Sequence, residues 1–307
     1  MRPASGVERP PLGVGIIGLG RWGRNYVATL DETPGCRLVA VADPAAGDAQ
    51  HVARRHSSAE AMLCCADVDA VVVATPDATH FDLALCALES GRHVLIEKPM
   101  ALQTTHAERL VTEAARRELV LAVGHTPLYH SNHLRLRAAC AAAAGPAELH
   151  LERTSRGPAE PTSSVVFDLG PHDLAIVIAL LGLPLALRGE HLPDSAARAA
   201  FAWQAEFDDG STASGRLAWT DAPASRFVEL LTAHGTQRFI ETSTPHELPL
   251  SALCRDFIDA CIARRAPRSD GRLGLAVTRS LAALERSSAL GGSWQRPAPA
   301  RPEPVAA

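Results

Sequence analysis

Lysine is nearly absent from this sequence. Of its 30 Lys plus Arg residues one is a lysine, Lys98, and the other 29 are arginine. A composition that uses arginine wherever either cation serves leaves Lys98 needing a reason of its own. Other absences narrow the class of protein. No apolar run approaches the roughly 20 residues of a membrane span, so no membrane association is expected. The opening stretch, MRPASGVERPPLG, carries no apolar signal-peptide core, and secretion is not expected either. There is no basic excess. The formal net charge of -4 gives no electrostatic case for nucleic acid or an acidic membrane surface. The seven cysteines (Cys36, Cys64, Cys65, Cys86, Cys140, Cys254 and Cys261) are odd in number and lack C-x-x-C spacing. They fit reduced thiols in a cytoplasmic protein, not a disulfide framework. At 307 residues, 47% apolar and 21% charged, the chain reads as soluble, globular and long enough for two domains.

What is present has two rhythms. In the first half short apolar runs alternate with longer amphipathic ones: VGIIG (14–18), CRLVAVAD (36–43), DAVVVAT (69–75), HVLIEK (93–98) and LVLAVGH (119–125) read as strands. Helices are expected near Trp22–Leu30, Thr79–Glu89 and Thr105–Arg117. Strands so continuously apolar are buried on both faces, and the alternation predicts βαβ units on a doubly wound parallel sheet. The second half predicts an α+β domain on a mainly antiparallel open sheet. Its strands are AELHLERT (147–154), FAWQAEFDDG (201–210), STASGRLAWT (211–220) and RFVELLTAHG (226–235), with a hairpin at Asp209-Gly210. Helices are expected near 130–143, 174–182, 250–264 and 271–288. The domain boundaries are 12–125 and 126–292, with Pro-rich tails at 1–11 and 293–307 read as disordered.

The first strand runs into GLGRWG, which spaces Gly18, Gly20 and Gly23 as G-x-G-x-x-G. Small residues permit the turn and the close approach of backbone to a pyrophosphate, and the following helix aims its N–H groups at the charge. Asp43 ends the second strand about 20 residues later, where a carboxylate accepts from ribose hydroxyls and repels a 2′-phosphate. Pro44, Ala45 and Ala46 offer that phosphate no arginine, which favours NAD over NADP. Thr75-Pro76, His80 and Glu97-Lys98 follow strand ends, where ligands lie in open α/β sheets.

Lys98 can change its protonation state when partly desolvated, whereas a guanidinium stays charged. A group that helps move the proton of a reacting hydroxyl needs that property. The later stretch VVFDLGPHD puts Pro171 where the first turn of a helix is expected and His172 beside it, with Asp168 on the approach. A neutral imidazole there is a usable base. His125, His130 and His133 invite a metal reading, but no acid or cysteine stands at ligand spacing, so no metal is expected.

With GLGRWG, Asp43, ATPDATH, EKPM, VGHTPLYH and DLGPHD in this order, the chain resembles the Gfo/Idh/MocA family of oxidoreductases over roughly residues 12–291. The DLGPHD and GHTPLYH forms look most like members acting on nucleotide-linked sugars and aminosugars. The resemblance implies that Gly18, Gly20, Arg21, Trp22, Gly23, Asp43, Thr75, Pro76, His80, Glu97 and Lys98 bind NAD. It implies Lys98 and His172 as catalytic groups, with Asp168 orienting them or touching substrate, and Tyr129 among the substrate contacts. It implies a homodimer or homotetramer built through the open face of the C-terminal sheet. Two departures stand out: the ERTSRGPAEPTSSVVFDLG segment is short, and Leu128 stands where the family often has an arginine. The expected activity is hydride transfer between NAD and a secondary alcohol or ketone of a sugar, aminosugar or sugar nucleotide. An inositol or cyclitol substrate, or a non-catalytic dinucleotide sensor, is the alternative.

Overall fold

A computed structural model describes residues 10–44, 54–143, 145–159, 161–193, 197–240 and 247–298. Ala45, Ala46 and most of the two tails lie outside the described residues. The first half is a six-stranded sheet: β1 (Leu12–Ile17), β2 (Cys36–Ala42), β3 (Arg55–His56), β4 (Ala70–Val73), β5 (His93–Ile96) and β6 (Leu121–Val123). Their order is β3-β2-β1-β4-β5-β6, and every pairing is parallel. This is the doubly wound order that places a ligand crevice where the winding reverses, between β1 and β4. Short β3 is the one strand of this sheet that no apolar run announces.

Side chains alternate across this sheet as the period of two requires. Ile17, Val71, Val73, Val94 and Ile96 pack toward α2 (Ala59–Leu63), α3 (His80–Glu89) and α4 (Thr104–Arg116). Val14, Ile16, Val72 and Leu95 face the other way, toward α1 (Arg21–Asp31) and a core that runs on into the second half. Each such buried aliphatic contributes about 1.5–3 kcal/mol.

The second half holds α5 (Ser131–Ala143), β7 (Glu148–Ser155), α6 (Val165–Leu181), β8 (Ala186–His191), β9 (Ala197–Glu206), β10 (Thr212–Thr220), β11 (Arg226–Thr232) and β12 (Gly235–Ile240). Its sheet runs β12-β11-β7-β10-β9-β8. Only β7 and β10 pair in parallel, so the sheet is mixed and mainly antiparallel. The expected hairpin joins β9 to β10, with Gly210 at φ +82 supplying the left-handed turn residue. Helix α6 covers one face of the sheet; polar side chains of His150, Arg188, Gln204 and Arg216 line the other.

The last two helices tie the halves together. α7 (Glu247–Ala263) packs on α1, and Phe257 and Ile258 join Tyr26 and Leu30 in one core. α8 (Gly271–Ala289) lies between α4 and α6, and Val123 donates its N–H to Ser269 just before that helix. Two expectations need correcting. Residues 293–298 are not a loose tail, because Gln295 exchanges backbone hydrogen bonds with Leu187 and Arg188 stacks on Trp294. Helix α6 begins at Val165, not at Pro171. Ser164 caps it by accepting from the Phe167 N–H, and burial of Val165, Val166, Phe167 and Leu169 carries the helix through the proline.

Candidate active site

The carboxyl ends of the first sheet's strands open onto a cleft of about 1320 Å³ whose far wall belongs to the second half. That exceeds the roughly 300–1,000 Å³ of an ordinary small-ligand pocket, leaving room for a dinucleotide and a second reactant. At one end lies the glycine loop. Gly18 sits at φ +93, and a side chain there would collide with the Ala74 carbonyl at 2.5 Å. A Cβ on Gly23 would stand 1.9 Å from the Gly18 carbonyl oxygen, so the helix could not close on the strand. Both glycines are required by the fold. Gly20 is different: a Cβ there would meet nothing within 4 Å. The protein leaves that space bare beside the N-terminus of α1, which is the fit a pyrophosphate asks for. Asp43, directly after β2, accepts the Leu19 N–H on Oδ2 at 2.6 Å and so ties the loop to the next strand end. Arg21, Trp22, Asp43, Thr75, Pro76 and His80 all line the cleft.

The residues after β4 and β5 are braced against each other. His80 is buried and sets Nδ1 2.7 Å from the Pro99 carbonyl and Nε2 2.9 Å from the Thr75 carbonyl. It reaches the cleft wall as a strut between two loops. Glu97 is buried as well. Its Oε1 accepts from the Tyr26 hydroxyl at 2.7 Å and its Oε2 from the Lys98 N–H at 3.0 Å. Burial raises its pKa; Tyr26 and Lys98 oppose that.

At the other end stands Lys98. Its side chain is 15% exposed, and its ammonium donates to the Asp168 carboxylate (Oδ1, 2.9 Å) and to the Asp168 carbonyl (2.8 Å). Asp168 and His172 lie four residues apart on α6, hence on one face of the helix. His172 lines the cleft, and its Nδ1 has no hydrogen-bond partner among the described residues. Burial holds the imidazole well below the ordinary histidine range, and the charges of Arg153, Lys98, His125 and Arg226 push the same way. With α6 starting at Val165, His172 lies two turns in. Burial and cations, not the helix N-terminus, keep it neutral.

Tyr129, expected at the substrate, does not reach the cleft. Its hydroxyl donates to Asp256 on α7 at 2.9 Å, and Arg268 stacks on its ring at 4.8 Å. Leu128 is buried too and is not among the residues that line the cleft. Other cations line the far wall of the cleft instead. Arg153 on β7 donates to the buried Asp173 at 2.6 Å, Arg226 is its cross-strand neighbour on β11, and Arg156 follows β7. Sequence spacing gives no sign that Arg226 joins Arg153, because β7–β11 register brings the two together. His125 lies below this corner with Nδ1 3.0 Å from the Ser269 hydroxyl, and burial lowers its pKa to about 3. Among the described residues no group of three or more potential metal ligands occurs.

Comparison with known proteins matches this geometry. A family model described as an oxidoreductase family with an NAD-binding Rossmann fold covers residues 12–125. The UDP-N-acetylglucosamine 3-dehydrogenase of Acidithiobacillus ferrooxidans is 39% identical over 176 residues, 55% of this chain and 54% of that protein. Inositol 2-dehydrogenase 2 of Saccharopolyspora erythraea is 33% identical over 195 residues, 59% of this chain and 57% of that protein. In sequence the chain thus spans a little over half the length of each of these two relatives. In three dimensions the agreement is longer. The solved structure of the Acidithiobacillus enzyme aligns with a TM-score of 0.77 at 27% identity, covering 91% of this chain and 98% of that one. Residues 12–125, with the glycine loop, Asp43 and the Glu97-Lys98 strand end, are thus similar to the NAD-binding Rossmann domain of the Gfo/Idh/MocA oxidoreductases.

Proposed function

We propose that this protein is an NAD-dependent oxidoreductase acting on a secondary alcohol or ketone of a sugar, aminosugar or sugar nucleotide. One observation carries the reading. The single lysine, paired with Asp168, and an imidazole with an unpartnered nitrogen share the wall of the cleft that begins at the bare glycine loop. NAD supplies the hydride acceptor, and Gly18, Gly20, Gly23, Asp43, Thr75 and Pro76 are the residues that would hold it. Neutral His172 takes the hydroxyl proton as the carbinol C–H pair leaves as hydride and the C=O bond forms. Lys98 donates to the same oxygen and steadies its developing charge; Asp168 holds the ammonium in place. In the reverse direction His172 returns the proton to the alkoxide.

The guanidinium-bearing wall of Arg153, Arg156 and Arg226 suits a phosphate or carboxylate on the substrate, and so a sugar nucleotide. A cyclitol is the second reading, supported by the relative that is an inositol 2-dehydrogenase. No helix among the described residues is long and apolar enough to cross a membrane. Seven free thiols suit the cytoplasm, and the polar open face of the second sheet suits a homodimer or homotetramer. The test follows NADH formation with UDP-N-acetylglucosamine, free N-acetylglucosamine and myo-inositol. Turnover of the nucleotide-linked sugar is expected. Turnover of inositol alone moves the assignment to the cyclitol, and tight NAD binding without turnover of any sugar, aminosugar or inositol makes the protein a sensor.

A further inference from the structure

Trp219 touches the Lys98–Asp168 pair without reaching the cleft. It lies buried on β10, and its indole Nε1 donates to Asp168 Oδ2 at 2.9 Å, while Lys98 holds Oδ1 at 2.9 Å. Each carboxylate oxygen therefore has its own donor, and together they fix the plane of the carboxylate. An indole N–H only donates, so Trp219 takes no part in proton transfer and can act only by orientation. Its ring has a second neighbour. Gly157, at φ +69, lies so close that an added Cβ would stand 2.6 Å from the indole Cδ1 and Cγ. Gly157 belongs to the loop after β7 and lines the cleft with Arg156, Pro158 and Ser155, the last residue of that strand. The indole thus sits between the loop that meets a substrate and the carboxylate that holds the lysine.

We infer that Trp219 is a positioning residue: it sets the Lys98 ammonium through Asp168 and ties that setting to the loop at Gly157. The contact stands on geometry alone; its kinetic consequence rests on the oxidoreductase reading above. Two measurements separate the two. The chain has four tryptophans, so a proton–nitrogen correlation spectrum of indole-labelled protein gives four side-chain signals, and Trp219→Phe identifies one by its loss. That signal is expected downfield, because its proton faces a carboxylate. It should move in Asp168→Asn, and also in Gly157→Ala, which pushes the loop into the ring. An indole signal indifferent to Asp168→Asn overturns the proposal. The second measurement is kinetic. Trp219→Phe keeps an aromatic ring but loses the N–H and part of the bulk, so kcat should fall about ten- to hundredfold with KM for NAD unchanged. In an Asp168→Asn background the same change should cost less than about threefold, since the two residues act as one unit. Additive losses overturn the positioning role. A coupled indole signal in a protein that oxidises none of the tested sugars supports the contact and counts against the oxidoreductase reading instead.

Discussion

The two ends of the cleft are built by opposite means. At the glycine end function rests on absence: Gly20 leaves open space that nothing in the fold requires, beside Gly18 and Gly23, which the turn and the helix do require. At the lysine end function rests on crowding. Asp168 and His172 come from α6, Lys98 and His125 follow β5 and β6, and Arg153 and Trp219 lie on β7 and β10; nearly every polar atom described there has a designated partner. A binding surface for a cofactor can be carved from one local turn, whereas a corner that moves a proton needs charges gathered from across the chain.

Substitutions can break that contrast or sharpen it. The largest effect is expected at Lys98. Lys98→Ala, and also Lys98→Arg, should lower kcat by about three orders of magnitude while the NADH dissociation constant, read by fluorescence titration, stays within about threefold. A Lys98→Arg enzyme of normal rate would remove the lysine from the chemistry. Next come the glycines. Gly23→Ala should destabilise the fold by about 3 kcal/mol in urea unfolding, because its methyl meets the Gly18 carbonyl. Gly20→Ala should unfold like the parent yet bind NADH at least tenfold more weakly; equal instability in both variants would erase the distinction. Smaller is the effect of Asp43→Ala, which should reduce the preference for NAD over NADP about tenfold. The ratio of the two kcat/KM values checks it, and an unchanged ratio takes Asp43 out of the site.

The smallest effect is on acid stability. Burial takes the pKa of His125 from 6.5 to about 3 and moves His172 the same way. Below pH 6.5 the unfolded chain binds protons that the folded chain refuses. Stability should therefore fall as pH drops, for His125 by about 1.4 kcal/mol at a pH one unit below that value. Melting temperatures of parent and His125→Gln between pH 5 and 8 test this: the variant should have the flatter curve, and parallel curves would assign the acid sensitivity elsewhere.

The same contrast governs how much could be read from the sequence. Gly18, Gly20, Gly23 and Asp43 are set by a strand, a turn and a helix close in sequence, so spacing alone announces them. Lys98 is announced by composition. Asp168 and His172 are announced by family likeness, but the helix start is not: Pro171 suggests one, whereas the cap at Ser164 sets it six residues earlier. Trp219 and Arg226 leave no local trace, since what places them is the register of β10 and β11 against β7. Tyr129 was misplaced for a related reason: only α7, more than a hundred residues on, takes its hydroxyl away from the cleft.

One lysine in 307 residues also gives the protein an unusual address system. Reagents that acylate or alkylate primary amines, from succinimidyl dyes to aldehyde cross-linkers, have one side chain to find besides the chain's own N-terminus. That side chain lines the cleft and is hydrogen-bonded to Asp168. On the proposed oxidoreductase reading, routine amine labelling would be inactivation, and a dinucleotide that shields Lys98 from the dye would report its own occupancy.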